Sequence, residues 1–240
     1  MKIAVLGNDG RYVRLRELLS GYELVSDAGS AELIITPWPA PVEIPCSARV
    51  VTCGPKNGPD GSIDLLLDED YQLNIAWMTA EGAVSAAMKE SKRALRGATC
   101  LVVGWGRIGK EITNLLVGMG SKVTIASRRS SVCAEVWARG AEWMHVDEIK
   151  DALGSMRFVF TTSPFMVIDE CVLNGAAKDA VIIDLASAPY GVDVETAEKK
   201  GIMAWREPGL PGRYCPEDAG QAIFDALVRR GLMKEACNDE

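Results

Sequence analysis

A single histidine, His145, stands in 240 residues. Many alcohol and hydroxy-acid dehydrogenases use His, Lys or Tyr as the acid-base partner of hydride transfer. His145, in Trp143-Met-His-Val, reads instead as a solvated or half-buried ring at a strand edge or turn. With one histidine and no cysteine cluster, no metal site is expected. The seven cysteines, at 46, 53, 100, 133, 171, 215 and 237, are odd in number and show no C-x-x-C spacing. They fit reduced, mostly buried thiols of a cytoplasmic protein. Basic residues are the minority: 26 Lys and Arg against 33 Asp and Glu leave a net charge of -7. That excludes general nucleic-acid binding through a basic surface. No apolar run reaches the roughly 18–20 residues that span a bilayer, so no membrane is expected. Met1-Lys-Ile-Ala-Val-Leu6 begins like a signal sequence but gives way at once to Gly7-Asn-Asp-Gly10, and reads as a first β-strand.

What is present is more specific. Cys100 to Val103 reads as a buried strand, followed by Gly104-x-Gly106-x-x-Gly109 and a helix from Glu111 to Gly118, then a β-rich run at Lys122 to Ala126. In that context Gly104 permits a tight turn, Gly106 lets a pyrophosphate approach the backbone, and Gly109 lets helix and strand pack closely. The helix N-terminus supplies N–H groups and a positive dipole end to the anion. The bland alternative is a βα turn in a degenerate domain without a ligand. Arg107 and Ile108 complete the loop; Arg107 either adds charge near the pyrophosphate or only covers the loop.

An NAD site carries Asp or Glu about 20 residues on, at the end of the second strand. Here the strand ends Ser127-Arg128-Arg129-Ser130, with no carboxylate. Guanidinium forks suit phosphate oxygens, so NADP(H) is the expected cofactor; an ordinary solvated Arg pair is the alternative. Thr161, Thr162, Asp184 and Ser187 lie at carboxyl ends of later strands, where open α/β sheets place ligands.

Along the chain, strands are expected at Lys2–Leu6, Leu33–Thr36 and Arg49–Cys53, with a helix over Arg11–Ser20 and a proline-rich break at Pro37–Pro41. A helix with small and apolar residues at helical spacing covers Asp68–Arg96, broken near Thr79 or continuous, and ended by Gly97. Beyond the glycine loop, helices over Ser131–Arg139, Val146–Leu153, Ile168–Gly175 and Asp193–Lys200 alternate with strands at Glu142–His145, Arg157–Thr161, Val181–Leu185 and Ile202–Trp205. A loop at Glu207–Arg213, an amphipathic helix over Pro216–Arg230 and a polar tail Asn238-Asp-Glu240 follow.

Four segments give a sharper likeness. They are Asn74-Ile-Ala-Trp-Met-Thr79-Ala-Glu81-Gly82-Ala83; Val102-Val-Gly104-Trp-Gly106-Arg107-Ile108-Gly109; Ile182-Ile-Asp184-Leu-Ala-Ser187-Ala-Pro189-Tyr-Gly191-Val-Asp193; and Pro208-Gly-Leu-Pro-Gly212-Arg213-Tyr-Cys-Pro216-Glu-Asp-Ala219-Gly220. Together they resemble the family of dipicolinate synthase A subunits, over most of residues 74 to 220, and Gly7-Asn-Asp-Gly-Arg11 resembles that family's first loop. This sequence departs from the pattern in a shorter N-terminal region, in Tyr190 and Cys215 where the family tends to have Gly and Ala, and in Glu217-Asp218 where it has a Lys-Thr-like pair.

The resemblance implies an α/β fold: a Rossmann dinucleotide-binding domain plus a smaller flavodoxin-like α/β domain completed by the C-terminal helix. Residues 1–72, with 216–232 packed back on them, form the substrate side; 73–96 connect; 97–215 bind the cofactor. It implies NADP-dependent oxidation of dihydrodipicolinate to dipicolinate in the cytoplasm of a sporulating mother cell, and a partner, the flavoprotein-like B subunit of dipicolinate synthase; a homo-oligomer is compatible with it. A dicarboxylate ring needs compensating charge. The candidates are Arg11, Arg213, Asn74 and the turn Thr79–Gly82, with Thr79 as a cap donating its hydroxyl hydrogen and Glu81 as proton acceptor. Arg11, Thr79, Glu81 and Arg213 each have a bland alternative as a solvated or capping residue. Two other functions stay open: another NADP-linked dehydrogenase of an amino, imino or hydroxy acid, and a nucleotide-binding protein that is not itself catalytic.

Overall fold

The computed structural model describes residues 1–234; Cys237 and the expected tail Asn238-Asp-Glu240 lie outside the described residues. Two parallel sheets divide the chain into two units: Met1–Met78 with the chain from Pro211 onward, and Thr79–Leu210. The partition falls inside a helix, not at a loop.

In the first unit the strands β1 (Lys2–Val5), β2 (Glu23–Leu24), β3 (Leu33–Trp38), β4 (Arg49–Pro55) and β5 (Ile63–Asp64) form a sheet of order β2-β1-β3-β4-β5. This is the flavodoxin-like order. Helix α1 (Gly10–Leu18) starts where the Asp9 carboxylate accepts the Arg11 N–H, and buries Tyr12 and Leu15. Against it packs α9 (Pro216–Arg229), with Pro in its first turn, the position proline tolerates. A Cβ on Gly220 would crowd the Arg14 side chain and the Arg11 carbonyl oxygen, which explains a glycine at the α1–α9 crossing. The core joins Ile3, Leu15, Leu33 and Ile35 to Ala219, Ile223 and Leu227. Burying each large aliphatic of that set contributes about 1.5–3 kcal/mol, so the C-terminal helix is integral to the first unit.

The second unit holds β6 (Thr99–Val103), β7 (Lys122–Ala126), β8 (Glu142–Met144), β9 (Phe158–Thr161), β10 (Val181–Asp184) and β11 (Met203–Arg206), in the order β11-β10-β9-β6-β7-β8. Every pairing is parallel. Read from β6, this is the doubly wound Rossmann order, with its switch point between β6 and β9. The strands β6, β9 and β10 are buried nearly throughout, as a sheet covered on both faces requires.

Several expected boundaries are corrected. Helix α2 (Glu69–Ser91) runs without a break through Thr79–Gly82, so Thr79 is not a cap and these residues are not a turn. The small buried residues Ala76, Ala80, Ala83 and Ala87 keep helical spacing across it, and good helix formers outweigh the ~1 kcal/mol cost of one glycine. The helix ends well before Gly97, where Lys92 turns to φ 54°. Helix α3 (Arg107–Gly118) begins inside the glycine motif rather than at Glu111, because Gly106 is its N-cap. Strand β3 continues through Pro37 to Trp38, at the cost of a register shift against β4 between Thr36 and Trp38; proline lacks the N–H a regular ladder needs. Between Val146 and Leu153 only α5 (Ile149–Ala152) is α-helical, flanked by 3-10 turns. The helix expected over Ile168–Gly175 shrinks to α6 (Glu170–Leu173). The Cys133–Ala138 stretch is α4, entered by a 3-10 turn, and α7 is Val194–Lys199. The expected Glu207–Arg213 loop instead contributes to a short helix, α8 (Leu210–Tyr214). Among the described residues no helix is long and apolar enough to cross a membrane.

Candidate dinucleotide site

A cavity of about 790 Å³ opens at the carboxyl ends of β6, β7 and β9. Its lining includes Gly104, Gly106, Ser127, Arg128, Arg129 and Thr162, six of the residues singled out in the sequence. The three glycines have three different reasons. Gly104 has φ +107°, which a side chain resists. A Cβ on Gly109 would fall within 3.0 Å of the Gly104 carbonyl oxygen, so helix and strand approach as closely as their backbones permit. Around Gly106 a Cβ would meet no protein atom within 4 Å. Packing therefore does not explain that glycine, whereas a pyrophosphate resting on the backbone does. Residues 104–109 fit a dinucleotide for that reason.

The end of β7 supplies the cations. Ser127 is buried; its backbone N–H donates to the Met144 carbonyl and its Oγ accepts the Arg129 N–H at 3.2 Å. Arg128 and Arg129 are exposed. The Arg129 Nη2 donates to the Trp105 carbonyl at 3.2 Å, back into the glycine loop. The Arg128 guanidinium lies 5.0 Å from the Phe165 ring centroid, which also lines the cavity. Acidic residues are not absent from the rim: Asp147 and Asp169 lie on it, with Lys150 between them in sequence.

Trp105, between the first two glycines, is almost fully buried. Its indole N–H donates to Glu135 at 2.8 Å. Glu135 also takes Lys110 at 2.8 Å and Arg139 at 3.0 Å. Lys110 and Arg139 each lie within 6 Å of the Trp105 ring centroid. The Lys110 ammonium, then the Trp105 N–H, hold the Glu135 carboxyl down at about 2. The residues of this latch lie up to 34 positions apart in the chain, and sequence reasoning missed it, together with Phe165 and the cavity thiol of Cys171. Only the proximity of Trp105 to the glycines hinted at it.

The remaining predicted residues divide between the cavity wall and other places. Thr162 Oγ1 donates to the Val103 carbonyl at 3.0 Å, and Thr161 is fully buried with its Oγ1 accepting the Ser163 N–H. Asp184 does not face the cavity. It is buried and accepts the N–H groups of Ala186, Gly191 and Val192 at 2.9–3.1 Å, so it ties down the loop after β10. Burial raises its carboxyl above the ordinary range, against those three bonds. Ser187 is exposed in that loop, and its carbonyl accepts the Tyr190 N–H. Arg107 is exposed in the first turn of α3, and Ile108 follows, half-buried.

Of the expected substrate-side residues, Arg11 has a carboxylate partner within its own loop. Its guanidinium meets the Asp9 carboxylate through three bonds of 2.8–3.0 Å, largely buried. The pair fixes the Asp9–Arg11 loop and reduces the net charge that Arg11 presents. A Cβ on Gly212 would fall on the Asp9 carboxylate, so this loop lies against the α8 turn that carries Arg213. Arg213 itself lies 5.6 Å from the Tyr214 ring centroid. Asn74 is half-buried, Glu81 exposed and Gly82 buried, all on α2. His145 caps the following 3-10 turn in a reciprocal pair with Glu148. Burial pushes the Cys53 thiol up to about 12 and that of Cys100 up to about 11. Cys46 and Cys171 are exposed.

Residues 71–192 match the family described as the D-isomer specific 2-hydroxyacid dehydrogenase, NAD binding domain. The chain is 34% identical over 167 residues to the A subunit of dipicolinate synthase of Bacillus subtilis (strain 168), an alignment that covers 70% of this chain and 56% of that protein. It thus spans little more than half of that relative. The crystal structure of the dipicolinate synthase A subunit from Bacillus halodurans superposes with a TM-score of 0.85 at 23% identity, covering 97% of this chain and 98% of that one. The corresponding Bacillus subtilis structure gives 0.80 at 24% identity, covering 96% and 95%. At these identities the structural likeness is one of fold. The resemblance read from the four sequence segments is borne out by these relatives. With half the chain matched, this protein belongs to the D-isomer-specific 2-hydroxyacid dehydrogenase NAD-binding-domain family, and its cofactor is a nicotinamide dinucleotide.

Proposed function

We propose that the chain is an NADP-dependent oxidoreductase that converts dihydrodipicolinate to dipicolinate, as the A subunit of a dipicolinate synthase, in sporulation. The observation that carries the cofactor choice is the pair Arg128 and Arg129 at the rim of the glycine-loop cavity, where β7 ends without a carboxylate. A 2′-phosphate there meets two guanidinium groups, one steadied on Phe165 and one on the loop carbonyl of Trp105. The substrate choice rests on the relatives and on the four shared segments.

The reaction removes two electrons and two protons from a dihydropyridine ring, as one hydride and one proton. Held at the glycine loop, NADP+ would supply the acceptor for the hydride that leaves the ring carbon. The remaining proton needs only a mild base or water, because the ring gains aromaticity. This fits a chain with one histidine, and that histidine in a cap. Glu81 is retained in the proposal as proton acceptor and Arg213 as a carboxylate-binding cation. The flavoprotein-like B subunit is the proposed partner.

The test is an assay of the purified chain with dihydrodipicolinate and NADP+, with and without that flavoprotein-like partner, following dipicolinate and NADPH together. Formation of both in equal amounts is expected. Turnover of other imino or hydroxy acids but not of dihydrodipicolinate would replace this substrate. Tight NADPH binding without turnover of any of them, even with the partner present, would leave a nucleotide-binding protein without catalysis of its own.

A further inference from the structure

Tyr190 holds a left-handed backbone, with φ +69°. A bulky residue in the left-handed region costs conformational free energy and persists where its surroundings fix it, commonly at functional positions. Here the surroundings are explicit. The Ser187 carbonyl accepts the Tyr190 N–H at 3.1 Å, and Asp184 accepts those of Gly191 and Val192. Above the Tyr190 ring, 4.3 Å from its centroid, lies the guanidinium of Arg206.

Arg206 is the last residue of β11 and the register partner of Asp184. Asp184 is opposite Thr161, and Thr161 opposite Val103. The carboxyl ends therefore run Val103, Thr161, Asp184, Arg206 across four neighbouring strands, with the glycine loop leaving from the first. In an open sheet of this order the two halves of a dinucleotide lie on either side of the switch point. Arg128 and Arg129 belong to the adenosine side, so Arg206 stands on the nicotinamide side. It is exposed. Among the described residues no carboxylate lies within 4.0 Å of it; Asp184 and Asp193 act on it only through their field. Arg11, by contrast, is already occupied by Asp9. A guanidinium held over a phenol ring keeps N–H groups for a planar anion.

We propose that Arg206, held in place by Tyr190, binds a carboxylate of the substrate beside the nicotinamide. The assignment rests on the dicarboxylate reading above and names a specificity-determining pair for it.

The test uses the full chain with NADPH bound. Wild type, Arg206→Ala, Arg206→Lys and Tyr190→Gly are titrated with dipicolinate and assayed with dihydrodipicolinate. Arg206→Ala is expected to raise the dicarboxylate Kd and KM about tenfold, the loss of a charge-assisted bond, and to leave the NADPH Kd unchanged. Arg206→Lys should recover part of that loss. Tyr190→Gly suits the left-handed backbone, so it should keep thermal stability and still raise KM several-fold; a purely structural Tyr190 would show no KM effect. A wild-type chain that binds no pyridine dicarboxylate overturns the substrate reading and this assignment with it. Wild-type binding retained in full by Arg206→Ala overturns the assignment alone. So does a rise in the NADPH Kd with the dicarboxylate Kd unchanged, which would give Arg206 to the cofactor.

Discussion

Gly109 lies so close beneath Gly104 that a methyl group on it would fall within 3.0 Å of the Gly104 carbonyl oxygen, whereas one on Gly106 would touch no protein atom. The two positions share a motif but fail differently. Gly109→Ala must push helix α3 off the strand and should destabilise the chain by about 1–3 kcal/mol, the usual cost of overpacking. Gly106→Ala should leave thermal stability unchanged and weaken NADPH binding, because its methyl occupies the approach of the pyrophosphate. Thermal unfolding and calorimetric titration of the two variants check this. Equal stability losses in both would mean that Gly106 is a packing residue.

The latch at Trp105 carries a pH dependence. Glu135 has a folded value of about 2 against an ordinary 4.5, lowered first by Lys110 and then by the Trp105 N–H. A depressed carboxylate contributes stability that is fully present above about 4.5 and is lost as pH falls toward about 2. Melting temperature followed across that window should drop less steeply in Glu135→Gln than in the wild type. The same variant should weaken NADPH binding at neutral pH by loosening Trp105 in the loop. A parallel pH profile in wild type and variant would contradict the role given to Glu135.

Cysteine reactivity reports on the cavity. Cys171 is exposed and lines it, Cys46 is exposed in the other unit, and Cys53 and Cys100 are buried with raised thiols. Alkylation near pH 8 should therefore label Cys46 and Cys171 and spare Cys53 and Cys100, because the thiolate is the nucleophile. Saturating NADPH should slow labelling of Cys171 and leave Cys46 unaffected, read by peptide mass spectrometry. Unchanged labelling of Cys171 would put the dinucleotide elsewhere.

Much of this could be read from residues alone, where local pattern and tertiary demand agree. Strand β7 is bounded as expected, at Lys122–Ala126, because its alternation and flanking polar residues mark both ends. The glycine motif signalled its own turn. What escaped was set by distant partners. Glu135 finds Trp105 thirty residues away, and Phe165 meets Arg128 from a different loop. The two-residue strands β2 and β5 are too short to show a period. The Pro-Gly composition around Leu210–Tyr214 masked a helix, and the motif Thr79–Gly82 looked like a turn only because threonine and glycine are common in turns. The pairing of Arg11 with Asp9 was written two residues apart, yet a sequence does not say whether a cation is satisfied locally or by a ligand.

The central claim is that the two arginines after β7 select a 2′-phosphate. Calorimetric titration of the wild-type chain with NADPH and with NADH, in low salt, tests it most directly. NADPH should bind at least about tenfold more tightly, or about 1.4 kcal/mol. The double variant Arg128→Ala, Arg129→Ala should lose that preference while its NADH affinity stays nearly unchanged. Equal affinities of the wild type for the two cofactors, or tighter binding of NADH, would contradict the account.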